Sequence, residues 1–255
     1  MKRLCIFVYG VLAYALSLAT FLYTFCFLGN LFVPNSIDAP RTASTGGAFL
    51  IDIALLTLFG LQHSVMARPG FKRWWTRVVP EPAERSTYLV FSNAALLALC
   101  LLWQPLGGVL WQLHTGLGQA VLYAAYGLGW ALLLFATFLI NQFDLFGLRQ
   151  VWLQLRGRPY RPVPFKTRSL YRYVRHPLYV GWLTIFWAAP TMTVTHLLFA
   201  LGTSAYILIA IRLEERDLSA AHPEYEDYRR RVPMLLPRLA RRAGRSAEAV
   251  LVQRP

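Results

Sequence analysis

Long apolar stretches dominate this chain, and short clusters of charge separate them. Residues 4–28 (LCIFVYGVLAYALSLATFLYTFCFL) hold no charged side chain over 25 positions, more than the roughly 20 that an α-helix needs to cross a bilayer. Further apolar runs fall near 48–67, 87–103 and 119–140, and a longer one covers 178–211. The pattern predicts an all-α, polytopic membrane bundle of about five or six transmembrane helices. Lys2 and Arg3 precede the first run, as they would a secretory signal. Its apolar part, however, far exceeds the roughly 7–15 residues of a signal core, and no small-residue cleavage site follows. It is read as a retained span.

Charge fixes the orientation. The 255 residues are 56% hydrophobic and 15% charged, with a net charge of +14. So basic a chain raises nucleic acid as a partner, but the placement of the charge argues against it. Of the 26 Lys and Arg residues, two precede the first span, one (Arg41) lies in the first loop and five fall in 68–86. None lies in 104–118, eight lie in 141–177 and ten run from Arg212 onward. This is the positive-inside alternation, with the N-terminus, the second and fourth loops and the C-terminal tail cytoplasmic. An even number of crossings follows, so the 178–211 run must form a hairpin that turns around Pro190–Thr195. The eight Trp and thirteen Tyr suit interface belts. Arg229–Arg231 and Arg238–Arg245 are placed to meet anionic headgroups, at ~1 kcal/mol each near the surface.

Residues 1–237 read as a single membrane-embedded domain and 238–255 as a flexible Arg-rich tail. The first loop, GNLFVPNSIDAPRTASTGG, is Gly/Pro/Ser/Asn-rich and predicts no regular structure. Lys72, Arg73, Trp74 and Trp75 form an interfacial anchor. The stretch NQFDLFGLRQVWLQLRGRP is half polar and predicts a segment along the cytoplasmic surface. Cys5, Cys26 and Cys100 all sit inside apolar spans without metal-ligand spacing, and are read as packing residues.

Two constellations can carry chemistry. In RHPLYVG (Arg175–Gly181), proline favours the first helical position, so His176 should cap and Pro177 open the helix that enters the membrane. The first N–H groups of that helix lack internal partners and carry the positive end of its dipole, a site for an anion such as a carboxylate with Arg175 beside it. In RLEERDL (Arg212–Leu218), two adjacent carboxylates, Glu214 and Glu215, stand at the cytoplasmic end of a span. The hairpin returns both constellations to the same membrane face. A ligand fitting both is zwitterionic with hydroxyls, and S-adenosylmethionine is such a molecule. Its sulfonium suits the aromatic faces of Tyr171, Tyr173 and Tyr179.

RHPLYVG, an apolar hairpin, EE and the tail AHPEYEDYRRRVPMLLP together resemble the isoprenylcysteine carboxyl methyltransferase superfamily over residues 165–237. LQHSVMARPGFKRWWTRVVPEPAERSTYLVF and FLINQFDLFGLRQVW resemble its nurim-related bacterial branch over roughly 1–237. The resemblance implies an integral membrane enzyme in the bacterial inner membrane that uses S-adenosylmethionine from the cytosol. It implies cofactor contacts at Tyr171, His176, Pro177, Leu178, Tyr179 and one or both of Glu214 and Glu215, with Arg212 towards the acceptor. The activity implied is methylation of a small thiol, methanethiol to dimethyl sulfide. Hydrogen sulfide, an isoprenoid thiol or a lipid is the alternative acceptor, and a non-catalytic nurim-like protein the alternative class. A transporter is disfavoured, because paired Gly/Pro-broken segments are missing.

Methyl transfer to a thiol needs alignment, worth ~7–11 kcal/mol, and a thiolate, since an ordinary cysteine thiol has a pKa of about 8.5. Arg212 and the sulfonium are expected to stabilise that thiolate. Candidates to take the proton are His63, Asp52, Asn141 through water, and Asp144. His63 stands out because an ionisable group inside a span is costly. Asp52 is nearer the outer face and is read as a packing residue, and His196 is placed at the outer turn, at the interface. His114 and His222 are assigned no role.

Overall fold

Small hydroxyl residues inside the first span bond to its own backbone, which lets that segment remain helical in lipid. In the first helix, α1 (Lys2–Leu28), the hydroxyls of Ser17, Thr20 and Thr24 donate to the carbonyls of Ala13, Leu16 and Thr20 at 2.8–2.9 Å. The computed structural model describes residues 1–40, 44–163, 167 and 169–237; the Arg-rich tail, 238–255, lies outside them.

The chain continues through α2 (Thr45–Ala67), the short α3 (Pro69–Trp75) carrying the Lys72–Trp75 anchor, and α4 (Glu81–Leu102). The start of α4 places Glu81 and Glu84 at the positive end of its dipole. A strand, β1 (Val109–Gln112), precedes α5 (Gly116–Ile140), whose Thr115 cap accepts from Gly118 N–H at 3.3 Å. Two short helices, α6 (Gln142–Leu145) and α7 (Leu148–Leu155), follow, then a 3₁₀ turn at Ser169–Arg172 and α8 (Pro177–Trp187). The described chain closes with β2 (Thr191–Thr193), α9 (Val194–Ala221) and α10 (Tyr225–Arg231). Five helices, α1, α2, α4, α5 and α9, are long and apolar enough to cross a membrane, and α8 is a shorter apolar helix. The protein is a multi-pass membrane bundle.

α4 packs between α1 and α2, α5 packs on α8, and α9 touches both α8 and α2. Apolar burial does not drive helices together in lipid, so close approach depends on small residues. The α5–α8 contact shows it: a Cβ on Gly181 would stand 2.9 Å from Gly129 O, and one on Gly129 would stand 3.1 Å from Gly181 O. Asn93 on α4 donates to Ser17 on α1 at 2.8 Å, a polar tie inside the bundle. α7 lies against α1, where Gly10 admits Val151.

The 178–211 hairpin departs from a pair of full helices. α8 has only 11 residues, about 16 Å of rise, and the remaining crossing is extended. There β2 pairs antiparallel with β1, in the loop where the sequence marked no element. Backbone groups on this extended segment find partners within the protein: Trp111 Nε1 donates to Ala189 O, Leu113 N–H to Pro190 O, and Thr193 N–H and Oγ1 to Asp38 Oδ1.

His196 was expected at the interface, yet it is buried. Its Nδ1 is 2.9 Å from Asp38 Oδ2 and its Nε2 is 3.1 Å from Phe186 O. Burial pushes the Asp38 carboxyl up, but His196, Thr193 and Asn30 outweigh that and hold it below the usual carboxylate value. Asp52 is likewise a packing residue of the end opposite the N-terminus, its Oδ1 accepting from Gln104 N–H at 2.9 Å.

Candidate active site

The start of α8 and the end of α9 meet at the face that carries the N-terminus. His176 has φ −127° and ψ 62°, outside the helical region, and Pro177 opens α8 behind it. Tyr179 and Val180 N–H both return to His176 O. That leaves the Leu178 N–H as an early helix donor with no carbonyl inside the helix to reach. Val194–Ala221 is helical through Glu214 and Glu215, so the two carboxylates lie about 100° apart around one axis. They do different things.

Glu215 is buried and closes a clasp. Its Oε1 accepts from Arg175 Nε at 2.7 Å, from His176 Nε2 at 2.9 Å and from Tyr225 Oη at 3.4 Å, and Arg229 Nε stands 3.6 Å from Oε2. The other arm of Arg175 donates to the carbonyls of Arg229 and Val232 at 2.8 and 2.7 Å. Arg175 and His176 N–H donate to Pro233 and Met234 O, and Tyr228 Oη donates to Tyr171 O at 2.7 Å. Residues 225–234 thus form a strap across the start of α8. Arg229, half exposed, borders this clasp, its Nε 3.6 Å from Glu215 Oε2 and its Nη1 donating to Glu226 Oε1 at 3.3 Å.

Glu214 is half-buried and accepts only one bond among the described residues, from Tyr179 Oη at 2.9 Å to Oε2. Its other oxygen has no hydrogen-bond partner among the described residues. The ring of Tyr179 lies 5.5 Å from that of His176. Tyr171 is near enough to feel the Glu214 charge: burial first, then Glu214, pushes its phenol above the ordinary value and keeps it a donor. Tyr228 is pushed up to about 12, chiefly by burial. The arrangement offers helix N–H groups for an anion, a free carboxylate oxygen for a cation or hydroxyls, and aromatic faces beside both. That donor set fits a zwitterionic methyl donor.

The other expected residues lie elsewhere. Arg212 is on an exposed row of α9 with Leu201 and Leu208, and has no bond to the clasp. Asp144 is held by Arg149 at 2.7 Å and by Tyr160 Oη at 3.2 Å. Asn141, at φ +121°, caps α6 by accepting from Asp144 N–H. His63 lies between α2 and α4, 3.0 Å from Tyr88 Oη. Tyr225, Tyr228 and Arg229 were missed as site residues. Their signal was a pair of tyrosines three apart in an otherwise charged segment, EYEDYRRR. A cavity of about 580 Å³ lies at the opposite face, lined by Thr45, Gly46, Phe49, Leu106, Gly107, Gly108 and Val194; it holds no titratable group.

Comparison with known proteins decides the family. A methanethiol S-methyltransferase of Crocosphaera subtropica is 51% identical over 244 residues, covering 95% of this chain and 96% of the relative. Another, from Mycobacterium tuberculosis, is 49% identical over 238 residues, covering 93% and 98%. The chain belongs to the methanethiol S-methyltransferase family. Nurim-like proteins are more distant: a nurim homolog of Drosophila pseudoobscura pseudoobscura is 29% identical over 225 residues, 80% of this chain. No family model and no solved structure matches the chain. For members of this family a methyl donor must bind.

Proposed function

We propose that the protein transfers a methyl group from S-adenosylmethionine to methanethiol, giving dimethyl sulfide, at the cytosolic face of the bacterial inner membrane. The observation that carries this reading is the division of labour between the adjacent glutamates, one sealed in a clasp and one open, beside the start of α8. Leu178 N–H and the positive end of α8 would hold the donor's carboxylate. Glu214 would take its ammonium or ribose hydroxyls, and Tyr171 and Tyr179 would lie against its cation. When bound, the donor supplies an electrophilic methyl on a sulfonium. The residues around it align the acceptor for in-line displacement, and the strap of residues 225–234 keeps bulk water from the reacting centre. The positive-inside distribution of charge supports a mouth on the cytosolic side, where such a donor is met, while a small apolar thiol would arrive through the bilayer.

Calorimetry on detergent-purified protein should show S-adenosylmethionine binding. Headspace gas chromatography should show dimethyl sulfide from methanethiol-fed cells that express it. Glu214→Gln removes charge-assisted bonds of about 1.5–3 kcal/mol, so donor affinity should fall roughly 10- to 100-fold. Wild-type protein that binds no donor, or equal dimethyl sulfide with and without expression, would sink this reading.

A further inference from the structure

Four helices bring a second polar cluster to the same end of the bundle. The Tyr88 hydroxyl on α4 lies 3.0 Å from each ring nitrogen of His63 on α2, and Ser92 Oγ lies 3.2 Å from Nδ1. Phe59 stacks on the imidazole with centroids 5.3 Å apart and covers one face. Gln62 Nε2 donates to Ser92 Oγ at 3.4 Å. On α9, Tyr206 Oη meets Ser64 Oγ at 3.1 Å, and its ring packs edge-on against Phe59. Tyr179 joins this cluster to the glutamates: its hydroxyl donates to Glu214, and Tyr88 and Tyr206 both lie within its electrostatic reach. An imidazole and several hydroxyls inside a span are expensive where aliphatic side chains would pack the same helices together.

The cluster meets a need that the clasp leaves open. Methylating a neutral thiol releases one proton per turnover. Glu215 is saturated by Arg175, His176 and Tyr225, and Glu214 faces the donor. We propose that Tyr88 and His63 take the proton of the acceptor thiol, with the Tyr88 hydroxyl as relay and the imidazole as base. This rests on the reading that the site methylates a thiol. The S–H bond breaks and its proton passes to Tyr88 Oη, while the proton of Tyr88 moves to an imidazole nitrogen. The electron pair left on sulfur forms the new S–CH3 bond and displaces the donor's neutral thioether. The net charge of the site is then unchanged, because the positive charge lost at the donor sulfur reappears on the imidazole. In a low-dielectric interior, moving a charge costs far less than creating one. Tyr88 Oη stands equally far from both nitrogens, over the ring and in line with neither, so a turn of the imidazole brings one nitrogen into line with the hydroxyl for the transfer. His63 is one helical turn from the end of α2 at Ala67, where the proton leaves to water. The titratable groups around the pair are Glu84 and Arg85 on α4, Tyr179 on α8 and Tyr206 on α9; the Arg85 guanidinium lies 5.0 Å over the Tyr88 ring.

The test uses the full chain purified in detergent, as wild type, Tyr88→Phe and His63→Gln. Three quantities are measured: calorimetric affinity for S-adenosylmethionine, melting temperature, and kcat for dimethyl sulfide from about pH 6.5 to about 9.5. The expected result is donor affinity within about twofold of wild type, with kcat at pH 7 lower by roughly 10²–10³. The deficit should shrink by about tenfold per pH unit as the medium ionises the thiol in place of the relay. If one variant does not fold, the other carries the test. A deficit of the same size at every pH, a loss of donor affinity matching that of kcat, or unchanged kcat would overturn the relay while leaving the function standing. Wild-type protein without donor binding or dimethyl sulfide would overturn both.

Discussion

Replacing Glu215 by Gln keeps the shape of the clasp and removes its charge. Arg175 and His176, with side chains 11% and 5% exposed, then lose the carboxylate at 2.7 and 2.9 Å that faces them. Breaking a buried pair from one side costs about 3–5 kcal/mol. Arg175 keeps its two carbonyl acceptors, so the lower end applies, about 3 kcal/mol, or roughly 10²-fold in an opening equilibrium. The loss should be local, because the same groups fasten residues 225–234 to the start of α8. Hydrogen–deuterium exchange read by mass spectrometry can follow the amides of Arg175, His176 and Val232, which bond to Pro233, Met234 and Tyr228 carbonyls. Their protection should fall roughly 10²-fold in Glu215→Gln and stay near wild type in Glu214→Gln. Protection unchanged within about threefold, or lost equally in both variants, would refute the assignment of clasp and ligand carboxylates.

Two further outcomes follow from the packing. Gly181→Ala puts a Cβ 2.9 Å from Gly129 O and 3.0 Å from Leu133 N, backbone atoms that cannot swing aside. A cost of about 1–3 kcal/mol should lower the melting temperature in detergent by roughly 3–10 °C, whereas Gly46→Ala, whose Cβ meets nothing within 4 Å, should not lower it. Asp38 has its pKa depressed by its partners, so its contribution is present above the ordinary carboxylate value and is lost as pH falls through the folded value. The melting temperature of Asp38→Asn should therefore sit below wild type at pH 6, with the gap closing as pH drops below about 4; a gap independent of pH would contradict the ionised pairing.

The spans were legible because the apolar runs are longer than a bilayer is thick, and alternating Lys and Arg implied that successive spans run in opposite directions. The even number of crossings that followed was enough to bring His176 and the glutamates together. The short α8 was not legible: YVGWLTIFWAAP is equally apolar whether helical or extended, and periodicity does not separate the two. VLWQ pairs as a strand only because Thr191–Thr193 lies opposite. The split between Glu214 and Glu215 turns on which face of α9 meets α8, a rotation that adjacent identical residues do not encode. The strap escaped notice because it engages Arg175 through the carbonyls of Arg229 and Val232, and a carbonyl leaves no mark on residue type. Arg229 itself reads like any basic residue near a membrane until Glu215 is seen beside it.

The brevity of α8 bears on how the protein is made. An eleven-residue helix is too short for the insertion machinery to retain as an independent crossing, and the extended segment beyond it bonds to β1, Leu113 and Asp38. α8 must therefore enter the membrane together with α9, onto an α5 already in place. Ribosomes stalled before α9 emerges should leave the RHPLYVG motif outside the lipid, with the enzyme unbuilt until its last long helix arrives.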